Sequence, residues 1–449
     1  MKIYETLYID ETPKFNEQTV TCIPDDDKCE NEVLNIYATE KFQHMIGFGG
    51  AITEAAGYAY AKMPKNMQNE MLNAYFGKDG LQYNLGRCSI DSCDFALGNY
   101  SAVTDKADTS LTSFSLARDE EYICPLIEDA MKLVPDLKLL LSPWSPPAYM
   151  KTNQEKNHGG ELISEYKEQW AKYMCKYIKE YKQKGYNIFA VTVQNEPNAV
   201  QKWDSCVYNA AQEKDFVKNY LGPQMQKENL DDVALTIWDH NKERVFDRAD
   251  YILKDAQAAK YVKAVGFHWY SGNHFDALNL LGNKYPNMPM FFTEGCVHHY
   301  KSFLKNQLKH AQRYAFEMIG NLNAGMNAFL DWNIYLEKNG GPNHVKNFCN
   351  APIMADTEHG TLLYNLSYYY IAHFSKYIQP NAVRLGTTKY TDSLHFTAFE
   401  NPNGQIVGIV LNTSLKKQTC NLRINGRVFS FASQKSSIST IVLEQGQDF

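Results

Sequence analysis

The chain has 449 residues and a formal net charge of −6, with 45 basic and 51 acidic side chains interspersed. That charge pattern argues against nucleic acid as a partner, and no apolar run is long enough to span a membrane. Ten cysteines are scattered without a C-x-x-C pair, a distribution expected of reduced, buried thiols rather than a disulfide framework or a zinc site. The amino terminus reads Lys2-Ile3-Tyr4-Glu5, without a basic segment leading into an apolar stretch. The expected location is therefore cytoplasmic, or secreted if an export segment has been removed.

Eight short apolar runs alternate with helical stretches in chain order: HMIGFGGAIT (44–53), YNLGRCSI (83–90), LKLLLSPW (137–144), IFAVTVQNE (188–196), VALTIWDHN (233–241), AVGFHWY (264–270), MFFTEGC (290–296) and MNAFLDWN (326–333). The helical pattern covers 55–76, with Pro64 expected to kink or split it, then 116–133, 164–185, 216–229, 247–261, 275–281, 305–323 and 362–378. Eight strands each followed by a helix predict an α/β fold, a (β/α)8 TIM barrel over residues 43–378. Beyond Pro380 short alternating runs separated by Asn-Gly turns predict an antiparallel β module of about 70 residues. Residues 1–42, which also read as extended, are expected to complete it with 379–449 as a β-sandwich side domain.

In a TIM barrel the catalytic residues stand at the carboxyl ends of the strands. Those ends carry Asp94, Trp144, Asn195, Glu196, His268, Tyr270, Glu294 and Trp332. A lone glutamate at a strand end is commonly a cap or an ion-pair partner. Two of them, on strands four and seven, face one another across the mouth among aromatic platforms. That arrangement suits glycosidic cleavage, in which one carboxyl protonates the leaving oxygen and the other attacks or activates water. The GFGG run (47–50) lacks the remainder of a phosphate loop and reads as close packing. The adjacent pairs His298-His299 and Asp239-His240 read as polar lining, so no metal and no cofactor is expected.

GFGGAITEAAGYA (47–59), SCDFA (92–96), LLSPWSPPAYMKTN (140–153), VQNEPN (193–198), FHWY (267–270), FFTEGC (291–296) and DWN with the following GGPN and NF (331–348) together resemble family 30 glycoside hydrolases. This group includes glucosylceramidases, β-glucosidases, β-xylosidases, xylanases and β-1,6-glucanases. The resemblance implies a retaining mechanism with Glu294 as nucleophile and Glu196 as acid/base. It also implies sugar contacts from Asp94, Trp144, Asn195 and Trp332, with Tyr270 touching the nucleophile, Asn347 nearby, and His268 among the substrate-binding set. Tyr149 stands where relatives often carry Trp, and His344 follows GGPN where some carry an aromatic, so outer subsites are expected to differ.

The expected activity is an exo-acting retaining β-glycosidase on β-glucosides or β-xylosides, including glucosylceramide-like glycolipids. An endo-acting glucanase or xylanase is the alternative. A catalytically inactive carbohydrate-binding protein is the non-enzyme reading, which the presence of both glutamates opposes. The expected partner is a β-linked glycoside or oligosaccharide; oligomeric state is not legible.

Overall fold

The computed structural model describes residues 1–300 and 304–444; the last positions expected in the side domain, 445–449, lie outside the described residues. Eight parallel strands close a barrel in sequence order: β1 (Gly47–Ala51), β2 (Leu85–Ile90), β3 (Lys138–Pro143), β4 (Asn187–Thr192), β5 (Ala234–Asn241), β6 (Ala264–His268), β7 (Met290–Glu294) and β8 (Met326–Asn333), with β8 pairing back onto β1. Their near-continuous apolar character follows from burial on both faces, against the helices outside and against one another inside. Leu85, Leu140, Ala190, Ala264, Phe291, Ala328 and Leu330 fill the interior. In the GFGG run the expected close packing holds. A Cβ on Gly49 would sit 2.1 Å from the Leu85 carbonyl oxygen, so only glycine lets β1 approach β2 this closely.

The helices mostly follow the sequence pattern, with shifts at chemically marked points. The first splits into Glu54–Ala61 and Lys65–Phe76 at Pro64, which removes a helical donor. The fourth begins at Ala210 rather than 216 because Asn209 and Gln212 form a reciprocal capping box. The last is shorter than 362–378: Thr361–Tyr364 is a strand, and the helix runs Leu366–Ser375. That strand belongs to a three-stranded sheet with Tyr335–Glu337 and Ile353–Asp356, which the sequence reading did not anticipate. β1 is also narrower than 44–53, because His44 ends a strand of the side domain, Val33–His44.

The side domain joins both ends of the chain. Strands Lys2–Ile9, Thr12–Thr19, Ile23–Pro24 and Val33–His44 share one ten-stranded sheet with five from Val383 to Ser433 and the final Ser437–Leu443. All pair antiparallel except the segment 421–423, which lies parallel to 33–35. The sheet encloses its own apolar cluster around Ile3, Leu34, Leu394, Val410, Leu422 and Ile441. It is fastened to the barrel by His373, whose ring nitrogens lie 2.8 Å from Thr6 Oγ1 and 2.8 Å from Thr440 Oγ1. On the barrel's other side Gln43 donates to the Leu322 and Met326 carbonyls.

Candidate active site

Glu294 is the last residue of β7 and nearly fully buried. A Cβ on the following Gly295 would meet the Phe292 ring at 2.5 Å and Trp269 at 2.9 Å, so glycine is what allows the chain to turn away behind this carboxylate. Glu196 arrives differently. The strand was expected to run to about Glu196, but β4 ends at Thr192, and the next residues pack between the neighbouring strands. Asn195 N donates to the Pro143 carbonyl (2.8 Å) and Glu196 N to that of Asp239 (3.0 Å). Glu196 adopts a left-handed φ of 48°, a conformation rare for a residue with a side chain and characteristic of sites where geometry is over-determined.

One oxygen of Glu196, one of Glu294 and a ring nitrogen of His268 lie within 4.8 Å of one another. The two glutamates border a cavity of about 230 Å³ whose wall also includes Asp94, Trp144, Asn195, Tyr270, Trp332 and Asn347. Eight of the nine expected site residues therefore share one cavity wall. The ninth, His268, does not line the cavity. It lies beneath Glu196, with Nδ1 3.2 Å from Glu196 Oε1 and Nε2 3.0 Å from Asp239 Oδ1.

Trp144 and Trp332 stack at 5.2 Å between centroids and 19° between planes, and the edge of Trp332 meets Phe95. Asp94 accepts from Asn343 Nδ2 (3.1 Å) and Asn347 Nδ2 (3.3 Å). Burial, reinforced by the Glu294 charge, pushes its carboxyl up to about 7 despite those two donors.

Two residues essential to this arrangement escaped the sequence reading. Arg87, in the middle of the fully buried β2, donates from Nη1 to Glu294 Oε2 (2.7 Å) and from Nη2 to Asn195 Oδ1 (2.8 Å) and Asp239 Oδ2 (3.0 Å). Its guanidinium lies 4.7 Å from the Trp144 ring centroid. Asp239, read as ordinary lining beside His240, takes the Arg87 and His268 bonds and one from Thr293 Oγ1 at 2.5 Å. Left-handed φ values at Trp238 and Asp239 and a register shift against β6 mark a bulge there, the usual device for re-aiming a strand side chain. A signal was present: an arginine inside an otherwise apolar central strand is expensive unless a carboxylate waits for it.

Burial drives Glu294 above its ordinary value, against the pull of His268 and Arg87. The Arg87 and Tyr270 hydrogen bonds, the latter 3.0 Å, nonetheless reach a carboxylate and favour its ionised form. For Glu196 burial also acts upward, but the His268 bond and the His240 and His268 charges outweigh it and lower the value. His268 resists the downward effect of burial because Glu294, Asp239 and Glu196 are all acidic; it is raised to about 9. His268 is thus held in its protonated form, with Nδ1 directed at Glu196 Oε1. Glu196, His268 and Glu294 are also near enough together to surround a cation, but both imidazole nitrogens and Glu294 are already engaged, and Arg87 supplies the positive charge.

Beyond these, Cys296 and Cys349 line the cavity as free thiols 3.3 Å apart, with Tyr270 OH 3.4 Å from Cys296 Sγ.

Residues 45–378 match the glycosyl hydrolase family 30 TIM-barrel domain, and residues 381–441 match the family's beta sandwich domain. The fold is similar to that in the crystal structure of SrfJ from Salmonella typhimurium, with TM-score 0.93, 35% identity and 99% of this chain and 100% of that one covered. The chain is 31% identical to the lysosomal acid glucosylceramidase of Mus musculus over 402 residues, 85% of this chain and 77% of that protein. It is 28% identical to an endo-1,6-beta-D-glucanase of Neurospora crassa over 364 residues, 78% and 73% of the two chains. The protein belongs to glycosyl hydrolase family 30 and is a glycoside hydrolase, and membership implies a β-glycoside or oligosaccharide substrate. Among the described residues no helix is long and apolar enough to cross a membrane.

Proposed function

We propose that the protein is a retaining, exo-acting β-glucosidase that cleaves by double displacement. The observation that carries this is the approach of Glu196 and Glu294 to within 4.8 Å at the mouth. Retaining pairs stand about 5–5.5 Å apart, whereas inverting pairs leave about 6.5–9.5 Å for a water. Glu294, held by Arg87 and Tyr270, attacks the anomeric carbon. Glu196 delivers to the leaving oxygen the proton it shares with His268. Once the glycosyl-enzyme forms, the Glu294 charge is gone and Glu196 can accept a proton from water. Asn195, fixed through its Oδ1 by Arg87, presents its amide NH2 to the sugar, and the stacked tryptophans offer a flat apolar face.

The exo reading is supported by the cavity itself. At about 230 Å³ it is below the ~300–1,000 Å³ of sites that engulf larger ligands, and it suits one sugar ring. The glucose preference rests on the relatives named as glucosylceramidase and 1,6-glucanase. A second reading, endo-acting glucanase, is favoured by the Neurospora relative and by a separate hollow of about 500 Å³ formed by the loops after β2 and β3, where Tyr149 and Tyr100 offer further aromatic surface.

Azide rescue tests the roles. With an activated aryl β-glucoside, Glu196→Ala should accumulate glycosyl-enzyme that azide releases as the β-glucosyl azide. Glu294→Ala should give the α-glucosyl azide by single displacement. Swapped anomers would reverse the assignments, and product analysis on a β-1,6-glucan separates monosaccharide release from internal cleavage.

A further inference from the structure

We propose that Arg384 anchors a second ligand site, for a small oxyanion of the phosphate class, in the cavity between the floor of the barrel and the side domain. Arg384 lies on the strand Val383–Thr388 and is only 8% exposed. The other two arginines this deeply buried are each matched by carboxylates, Arg87 by Asp239 and Glu294, and Arg248 by Glu213. Arg384 has no such match among the described residues. Its Nε donates to Gln43 Oε1 at 3.0 Å, its Nη1 makes a long 3.4 Å contact with the Leu385 carbonyl, and the Phe42 ring lies 3.7 Å from the guanidinium carbon. No hydrogen-bond partner of Nη2 is found among the described residues. Burial lowers its pKa to about 10 with no acidic neighbour opposing the shift. Buried charges are ordinarily paired, and a guanidinium is shaped to grip two oxygens of one oxyanion.

The space beside it fits that purpose. Arg384 lines a cavity of about 730 Å³ at the amino-terminal ends of β7 and β8, opposite the glutamate pair. No aspartate or glutamate contributes to its wall, although acidic residues outnumber basic ones in the chain. Amides dominate instead, among them Asn279, Asn283 and Asn327, groups that donate to phosphate oxygens or sugar hydroxyls without repelling an anion. Both free phosphate and a phosphorylated sugar present the required group.

The test is calorimetric titration of the full chain at low salt, where the interaction is least screened, with inorganic phosphate, glucose 6-phosphate and uncharged glucose in separate arms. Saturable binding of phosphate or the sugar phosphate is expected, and Arg384→Met should weaken it at least tenfold. A tighter fit for glucose 6-phosphate than for phosphate identifies the sugar ester as the source, and the reverse order identifies the free anion. Should Arg384→Met fail to fold, Asn283→Asp, an exposed substitution that brings a carboxylate to the wall, should weaken binding several-fold while hydrolysis of an aryl glycoside is unchanged. Absence of saturable binding up to about 10 mM, a range that still registers millimolar affinity, overturns the proposal. So does binding that neither substitution alters.

Discussion

Arg87 Nη1 lies 2.7 Å from Glu294 Oε2 while Nη2 of the same guanidinium holds Asn195 and Asp239, so one planar cation ties β2 to β5, to β7 and to the loop after β4. All three partners are buried, and the cation fixes the carboxylate from outside the cavity wall. Arg87→Lys keeps a charge but cannot span three acceptors. It should lower kcat/KM by about 10²–10³, the range for losing a preorganised charge-stabilising donor. Arg87→Met should in addition cost roughly 3–5 kcal/mol in denaturant unfolding, since it strands two buried carboxylates. Wild-type kinetics in Arg87→Lys would reduce the cation to a structural tie.

On the proposed mechanism, the proton shared by His268 and Glu196 should set the alkaline edge of activity. With His268 raised to about 9, the pair keeps its proton through neutrality, and kcat/KM should fall on an alkaline limb near that value. In His268→Gln the proton must sit on Glu196 alone, and the limb should move to lower pH. The same shift has a stability sign. A histidine raised from 6.5 to about 9 contributes stability that is fully present below 6.5 and lost as pH rises through 9. The wild type should therefore lose more of its melting temperature between pH 6.5 and 9 than His268→Gln does. Parallel profiles for the two proteins would contradict the shared proton.

Asp94 titrates with the opposite consequence to an ordinary ion-paired aspartate. Burial raises it from 3.8 to about 7, so between these values the folded state holds a proton that the unfolded chain has released. Its contribution to stability is then present below 3.8 and lost as pH rises through 7. Asp94→Asn removes the buried charge, and its melting temperature relative to wild type should be more favourable at pH 8 than at pH 5, while glycoside turnover falls because the sugar loses its carboxyl partner. A constant difference at both pH values would show that Asp94 does not titrate in this range.

The barrel and most of the site were legible because both are written in local chemistry. Buried strands are short apolar runs, and a polar cluster at the end of such a run, as in Thr293-Glu294-Gly295, marks the mouth. The hidden parts depend on what lies across the barrel. Arg87 sits within a strand, and nothing local says that its partners are Glu294, 207 positions on, and Asp239. His268 is expected to face substrate because it ends β6, whereas the bulge at Trp238 and Asp239 and the segment after β4 each give its ring a carboxylate instead. The three-stranded sheet that includes Thr361–Tyr364 was hidden because strands this short carry no resolvable period, and the apolar residues of LLY merge with the helix that follows.

The tryptophan pair provides the sharpest separation of binding from packing. Trp144 and Trp332 are 2% and 3% exposed, yet both border the cavity, so each ring is at once core and platform. Trp332→Ala should therefore cost stability, about 3–5 kcal/mol for a buried aromatic, together with sugar binding, and cannot by itself distinguish the two roles. Trp332→Phe does. A phenyl ring retains most of the contact with Trp144 and with Phe95, whose ring centroid lies 5.8 Å away, so unfolding in denaturant should move by less than half of the alanine effect. The sugar loses the broader, amphipathic indole face, so KM for an aryl β-glucoside should rise several-fold with kcat less affected. If Trp332→Phe is kinetically wild type and Trp332→Ala loses activity only in proportion to its unfolded fraction, the indole is core alone and the sugar is held from elsewhere on the wall.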